Sequence, residues 1–140
     1  RSTRRRMTFH SEDEERLKAR KAELFQEGGH YDASMHPVWR DELTALRSTE
    51  RLLALARKTS HPIHVLHVTT AEELELLGRN KDVATVEILP QHLTLAAPEC
   101  YERLGSLAQM NPPIRDRRHQ DALWHAVRTG IVDVLGSDHA

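Results

Sequence analysis

The chain has 140 residues, with 20 Lys+Arg against 21 Asp+Glu for a formal net charge of -1, 10 His, one Cys and only 4% aromatic residues. That is enough for one globular domain, and a single thiol, Cys100, excludes an internal disulfide scaffold and suits a reducing compartment. The charge balance leaves no cation excess to replace the counterions of a phosphate backbone, no apolar run approaches the roughly 20 residues of a membrane-spanning helix, and the basic start RSTRRR leads into no signal core. Nucleic acid, membrane insertion and export are therefore not expected.

In chain order, Met7-Thr8-Phe9 reads as a short strand. Ser11 with Glu14 three residues on makes a capping box, which predicts a helix to Glu23. Glu27 to Trp39 holds Gly28, Gly29 and Pro37 without periodicity and predicts a long loop, too far from the other candidates to receive a role. Asp41 opens a second helix, with Leu43, Leu46, Glu50 and Leu53 along one face, Leu52, Leu55 and Ala56 widening it, and Arg57 and Lys58 in the last turn. Pro62 to Val68 is a β-branched strand; Thr70 caps a helix from Ala71 to about Leu77; Val83 to Leu89 is the next strand. A helical turn over Pro98 to Leu104, a weak strand over Leu107 to Met110, a helix over Asp116 to Arg128 and a strand over Ile131 to Leu135 complete the series. Strands separated by helices predict a parallel α/β sheet, because parallel neighbours need crossover connections.

Three polar residues stand where strands give way to loops: His10, His67 and Asp138. In a (β/α)8 barrel, side chains from the C-terminal ends of different strands converge on the active site. Imidazole and carboxylate suit zinc and similar divalent ions, so two His and one Asp make half of a metal site. A lone His at a strand end is more often structural; three such residues in series carry more weight. His64 and His67 are three apart and so point to opposite faces of a strand, which predicts that only His67 looks inward while His64 is an outer, packed or hydrogen-bonded residue. His92 reads as structural, Met110, Leu107 and Leu104 are expected in the core, and Trp39 and Trp124 read as packing residues. Pro112-Pro113 stiffens a loop, Cys100 is inert, and His30, His36, His61, His119 and His125 receive no site role.

The segments FHSEDE (Phe9 to Glu14), HVLHVTT (His64 to Thr70), EILPQHL (Glu87 to Leu93), QMNPPIR (Gln109 to Arg115) and GSDHA (Gly136 to Ala140) resemble, in this order and at about the right spacing, the second half of the dihydroorotases, a cyclic branch of the metal-dependent amidohydrolases. The resemblance covers the whole chain, and MNPPIR and SDHA best separate dihydroorotases from hydantoinases, dihydropyrimidinases and allantoinases. It implies a TIM-type (β/α)8 barrel of which residues 1-140 supply about strands five to eight as one partial domain of a longer chain. It further implies that His10 and His67 bind one metal of a binuclear zinc centre, that Asp138 binds the other and acts as general base, and that Asn111 touches the substrate ring. Gln91 stands where the family pattern P-H-H-L has its first His, so no role is carried over there. The first-strand H-x-H pair and the bridging Lys or Asp would precede Arg1.

The implied activity is zinc-dependent, reversible opening of dihydroorotate to N-carbamoyl-aspartate in pyrimidine synthesis. A small-molecule substrate and a cytoplasmic setting follow from the same resemblance, and a homodimer is compatible with it. The competing readings are another cyclic amidase of the hydantoinase or allantoinase type, and a catalytically inactive dihydroorotase-like structural partner of a pyrimidine enzyme.

Overall fold

The computed structural model describes residues 5–25 and 31–139. The elements run β1 (Met7–Phe9), α1 (Glu14–Leu24), α2 (Met35–Trp39), α3 (Glu42–Thr59), β2 (Ile63–Val65), α4 (Ala71–Gly78), β3 (Ala84–Ile88), α5 (Pro90–Thr94), α6 (Glu99–Leu104), a 3-10 turn (Gly105–Ala108), α7 (Arg117–Arg128) and β4 (Val134–Leu135). The strands form one sheet in the order β1-β2-β3-β4, every neighbouring pair parallel. Strand order that follows chain order, with helices as crossovers, is the arrangement of a (β/α) barrel wall.

One face of the sheet is dry. Ile63 and Val65 of β2 and Ala84, Val86 and Ile88 of β3 are buried together with Leu53 and Ala56 of α3, Leu74 and Leu77 of α4, and Leu123 and Ala126 of α7. Each fully buried Val, Leu or Ile contributes about 1.5–3 kcal/mol over its exposed state, so this layer is what fixes the strand register. Because side chains alternate along a strand, His64, Thr85 and Glu87 point the other way, away from these helices. His64 was expected on the outside and is instead on this inner face, where its Nδ1 lies 2.8 Å from Thr85 Oγ1. The alternation argument fails because β2 stops at Val65 and His67, with φ 37°, has already left the strand.

The helix starts follow local chemistry. Thr70, Asp41 and Asp116 cap α4, α3 and α7 as their sequences predict. The cap of α1 is Asp13, which accepts from Arg16 N at 2.8 Å, and not Ser11, whose hydroxyl is buried 2.8 Å from Thr49 Oγ1. The inward face of α3 is Thr44, Ala45, Thr49, Leu53 and Ala56, while Leu43 and Leu55 are exposed. The face is turned relative to the leucine pattern because the first half of α3 meets polar partners: Thr44 O accepts from Asp13 N at 2.9 Å, and Thr49 donates to Glu73.

Three further expectations are corrected. The stretch expected as a loop to Trp39 contains α2, and its residues 26–30, with His30, lie outside the described residues. Leu107 to Met110 is not a strand. Gly105, at φ 55°, turns the chain into the 3-10 turn and leaves Leu107 87% exposed rather than in the core. Leu104 and Met110 do pack, against a second cluster of Cys100, Tyr101, Ala108 and Ile114. The short helix α5, opened by Pro90, went unread in the sequence.

Candidate metal centre

His10 follows β1 directly and His67 lies two residues beyond β2, so the pairing of these strands brings both rings to one end of the sheet. His10 Nδ1 and His67 Nε2 face each other at 3.1 Å, the rings nearly perpendicular at 72°. Two nitrogens bound to one tetrahedral zinc at 2.0–2.1 Å would stand about 3.3 Å apart, so the pair already has the spacing of one edge of such a site.

The remaining nitrogen of His10 is held by a carboxylate. His10 Nε2 donates to Glu12 Oε2 at 2.9 Å, and the Glu12 side chain is 1% exposed. Arg40, stacked 5.3 Å from the Trp39 ring, grips both oxygens of the same carboxylate, with Nε at 3.0 and 3.2 Å and a further contact from its Nη2. Burial alone would raise the Glu12 pKa, but the hydrogen bonds from His10 and Arg40 outweigh it and hold the carboxyl below its ordinary value. An ionised Glu12 on Nε2–H fixes the His10 tautomer with its lone pair on Nδ1, facing His67.

His67 is 4% exposed, and burial followed by repulsion from His10 lowers its pKa, against the nearby Asp138 carboxylate, which raises it. Its Nδ1 is enclosed with no hydrogen-bond partner among the described residues, which further disfavours the imidazolium. The backbone N–H of His67 donates to Glu87 Oε1 at 3.4 Å, and Glu87 in turn lies against Gly136, where a Cβ would stand 2.6 Å from the carboxyl carbon. Among the described residues, φ is positive at three non-glycine positions: Ser60, a helix C-cap, and the two candidate site residues His67 and Asp138. Backbone of that kind clusters at functional sites.

Asp138 is near enough for its carboxylate to act on His67 but does not close a three-ligand cluster with the histidine pair. Among the described residues no three side chains of His, Cys, Asp or Glu converge closely enough to hold a metal. The residues present therefore fit one two-histidine edge of a metal site and do not complete it. Asp138 lines a cleft of about 280 Å3 with Gln91, Gln109, Met110 and Ile114, next to the segment that carries Asn111. Asn111 meets none of the three predicted ligands; its Oδ1 lies 3.1 Å from His36 Nε2. His36 was expected to have no part here, and neither was the segment around it, yet α2 carries His36 to Asn111 and is followed by Arg40 at Glu12. A larger cavity of about 530 Å3, bordered by Arg20, Asp41, Glu42, Tyr101, Arg115 and Asp116, contains none of the candidate residues. Its charged heads are already engaged: Arg20 with Asp41, Arg115 with the carbonyls of Arg40 and Asp41.

His92 is structural as expected, 3% exposed with Nε2 donating to Pro112 O at 3.1 Å; burial drives its pKa down to about 4. Glu12, Arg40, His36 and Glu87 are the site residues that sequence reasoning passed over. For Glu12 a signal was present, since an acid two residues after His10 lies within reach of its ring.

No family model matches the chain. It is 35% identical over 80 residues to a dihydroorotase of Wolbachia sp. subsp. Drosophila simulans (strain wRi), covering 55% of this chain and 18% of that protein. It is 33% identical over 104 residues to an allantoinase of Deinococcus radiodurans, covering 72% of this chain and 23% of that protein. The fold superposes on the L-hydantoinase (dihydropyrimidinase) of Arthrobacter aurescens with a TM-score of 0.88 at 26% identity, over 94% of this chain and 30% of that one. The chain thus spans about a fifth to a quarter of the length of the curated relatives it matches. With a parallel β/α wall that superposes on one hydrolase barrel and sequence shared with two others, the chain belongs to the cyclic amidohydrolases, as part of their TIM-type barrel.

Proposed function

We propose that this chain supplies part of the active site of a zinc-dependent cyclic amidase, and that the protein is a dihydroorotase, opening the ring amide of dihydroorotate to N-carbamoyl-aspartate and closing it in the reverse direction for pyrimidine synthesis. Residues 1–140 form one partial barrel domain. The observation that carries this reading is the His10 Nδ1 to His67 Nε2 approach of 3.1 Å, with His10 locked from behind by Glu12. Within dihydroorotase and its relatives, the segment Gln109-Met110-Asn111-Pro112-Pro113-Ile114-Arg115 supports the dihydroorotate assignment.

His10 and His67 would hold one metal, and Asp138 the other. Divalent metals held there would supply Lewis acidity toward an amide carbonyl and would lower the pKa of water from about 15.7 to about 7. Asp138 accepts the proton of the attacking water and returns it to the departing ring nitrogen, which a carboxylate at a strand end can do without leaving the site. Asn111 binds the substrate ring. The neutral state of His67, favoured by its burial, keeps its lone pair available for a cation. The setting proposed is cytoplasmic, with a small-molecule substrate and room for a homodimer.

A second reading as an allantoinase or hydantoinase draws support from the allantoinase match, which spans more of this chain than the dihydroorotase match does. Assays of the full-length protein with dihydroorotate, hydantoin and allantoin side by side decide between them. Dihydroorotate is expected to give the highest kcat/KM. Preference for hydantoin or allantoin would reassign the substrate, and no turnover of any of the three by zinc-loaded protein would favour the inactive structural partner.

A further inference from the structure

His36 lies at the centre of a hydrogen-bond relay whose direction is forced from one end. Its Nε2 is 2.9 Å from Met110 O and 3.1 Å from Asn111 Oδ1, and its Nδ1 is 2.9 Å from Tyr31 Oη; Tyr31 Oη in turn lies 2.9 Å from Gln109 Nε2. A backbone carbonyl can only accept, so Nε2 must carry the hydrogen. In a neutral ring Nδ1 then accepts, Tyr31 must donate to it, and the Tyr31 oxygen is left to accept from the Gln109 amide. Every group in the chain is satisfied in this direction and in no other. His36 is 7% exposed, so its ring is held by the partners just named, while Tyr31, 41% exposed, and Asn111 stand at the surface.

The consequence falls on Asn111, which is exposed at one end of the relay. Its Oδ1 is occupied by the His36 N–H, so the Asn111 NH2 group is the half of the amide turned away from His36. From the other side His92 Nε2 donates to Pro112 O at 3.1 Å, so two buried histidines pin the 110–112 backbone in place. We propose that His36 is a positioning residue that sets the polarity of the Asn111 amide, so that Asn111 offers N–H donors and recognises an acceptor oxygen, a carbonyl or carboxylate, on the substrate. This rests on the placement of Asn111 at the substrate ring and adds which end of the amide does the recognition. A site built to donate rejects an analogue whose ring presents a donor at that position, because two donors then face each other with no acceptor between them.

The test uses the full-length, zinc-loaded protein with dihydroorotate as the probe. His36→Gln can place an amide nitrogen where the imidazole Nε2 stood; His36→Asn is too short to reach. We expect His36→Asn to raise KM about tenfold with kcat within about threefold and zinc content unchanged, and His36→Gln to restore KM to within about twofold of wild type. Equal KM values for the Gln and Asn variants would overturn the proposal, since a merely structural role would not separate them. Independently of turnover, NMR of 15N-histidine-labelled protein is expected to show His36 as the Nε2–H tautomer; an Nδ1–H tautomer would overturn the relay. Absence of dihydroorotate turnover in the wild type would remove the substrate reading alone, and the tautomer would then decide for or against the relay by itself.

Discussion

Glu12 shows how much of the centre depends on a residue that would touch no metal. Replacing the carboxylate by an amide in Glu12→Gln removes the charge behind His10 while keeping its shape, and the loss of such a partner typically costs 10- to 100-fold in metal affinity. A competition titration of the full-length variant with a chromophoric zinc chelator is expected to show a drop of about that size. Unchanged affinity would mean that His10 needs no such partner. The buried His92 gives a second residue-level prediction. Its pKa is depressed to about 4 against an ordinary value near 6.5, so the unfolded chain takes up a proton that the folded chain refuses. The stability it contributes is complete above about pH 6.5 and is lost progressively as pH falls toward 4. Urea midpoints at pH 7.5 and 5 should therefore differ less in His92→Gln than in wild type. His10 and His67 were legible in the sequence because each ends an apolar strand run within a short motif. Arg40 and His36 were not, since their partners lie 28 and 75 residues away and only the folded chain brings them together.

At the scale of elements, α3 is the crossover that ties the two histidine-bearing loops to each other. Ser11, next to His10, is 2.8 Å from Thr49 of α3; Thr49 donates to the enclosed Glu73 of α4 at 2.8 Å, and Thr70, three residues after His67, donates to its other oxygen at 2.9 Å. Thr49→Val keeps the volume but leaves Glu73 short of one donor inside the core, a change worth about 1–3 kcal/mol. A lower urea midpoint by that measure is expected, and a neutral result would mean that the Glu73 carboxyl is satisfied without Thr49. The existence of α3, α4 and α7 was readable because each begins with an oxygen-bearing cap and continues with apolar periodicity. The inward face of α3 was not, because hydroxyls buried against Glu73 do not register as hydrophobic. The expected strand at Leu107 failed for a different reason: three apolar residues in four signal a strand only where a sheet is available to receive them, and Gly105 directs the chain elsewhere.

For the whole molecule, the sheet ends on β1 and β4, and Met7, Val134 and Leu135 are 48%, 41% and 62% exposed. Parallel edges of that kind template association. The 140 residues produced alone are therefore expected to elute as oligomers or aggregates in size-exclusion chromatography, with weak zinc binding and no turnover; a compact monomer holding stoichiometric zinc would contradict this. The parallel α/β architecture was legible from the alternation of elements, whereas the convergence of distant loops on the inner face depends on the register of the sheet, which no single segment encodes. The central claim is that His10 and His67 hold the same ion. Zinc content measured on full-length wild type, His10→Ala, His67→Ala and the double variant tests it most directly. Each single variant should lose one equivalent of zinc, and the double variant no more than either single one. Full zinc content in either single variant, or a larger loss in the double variant, would contradict it.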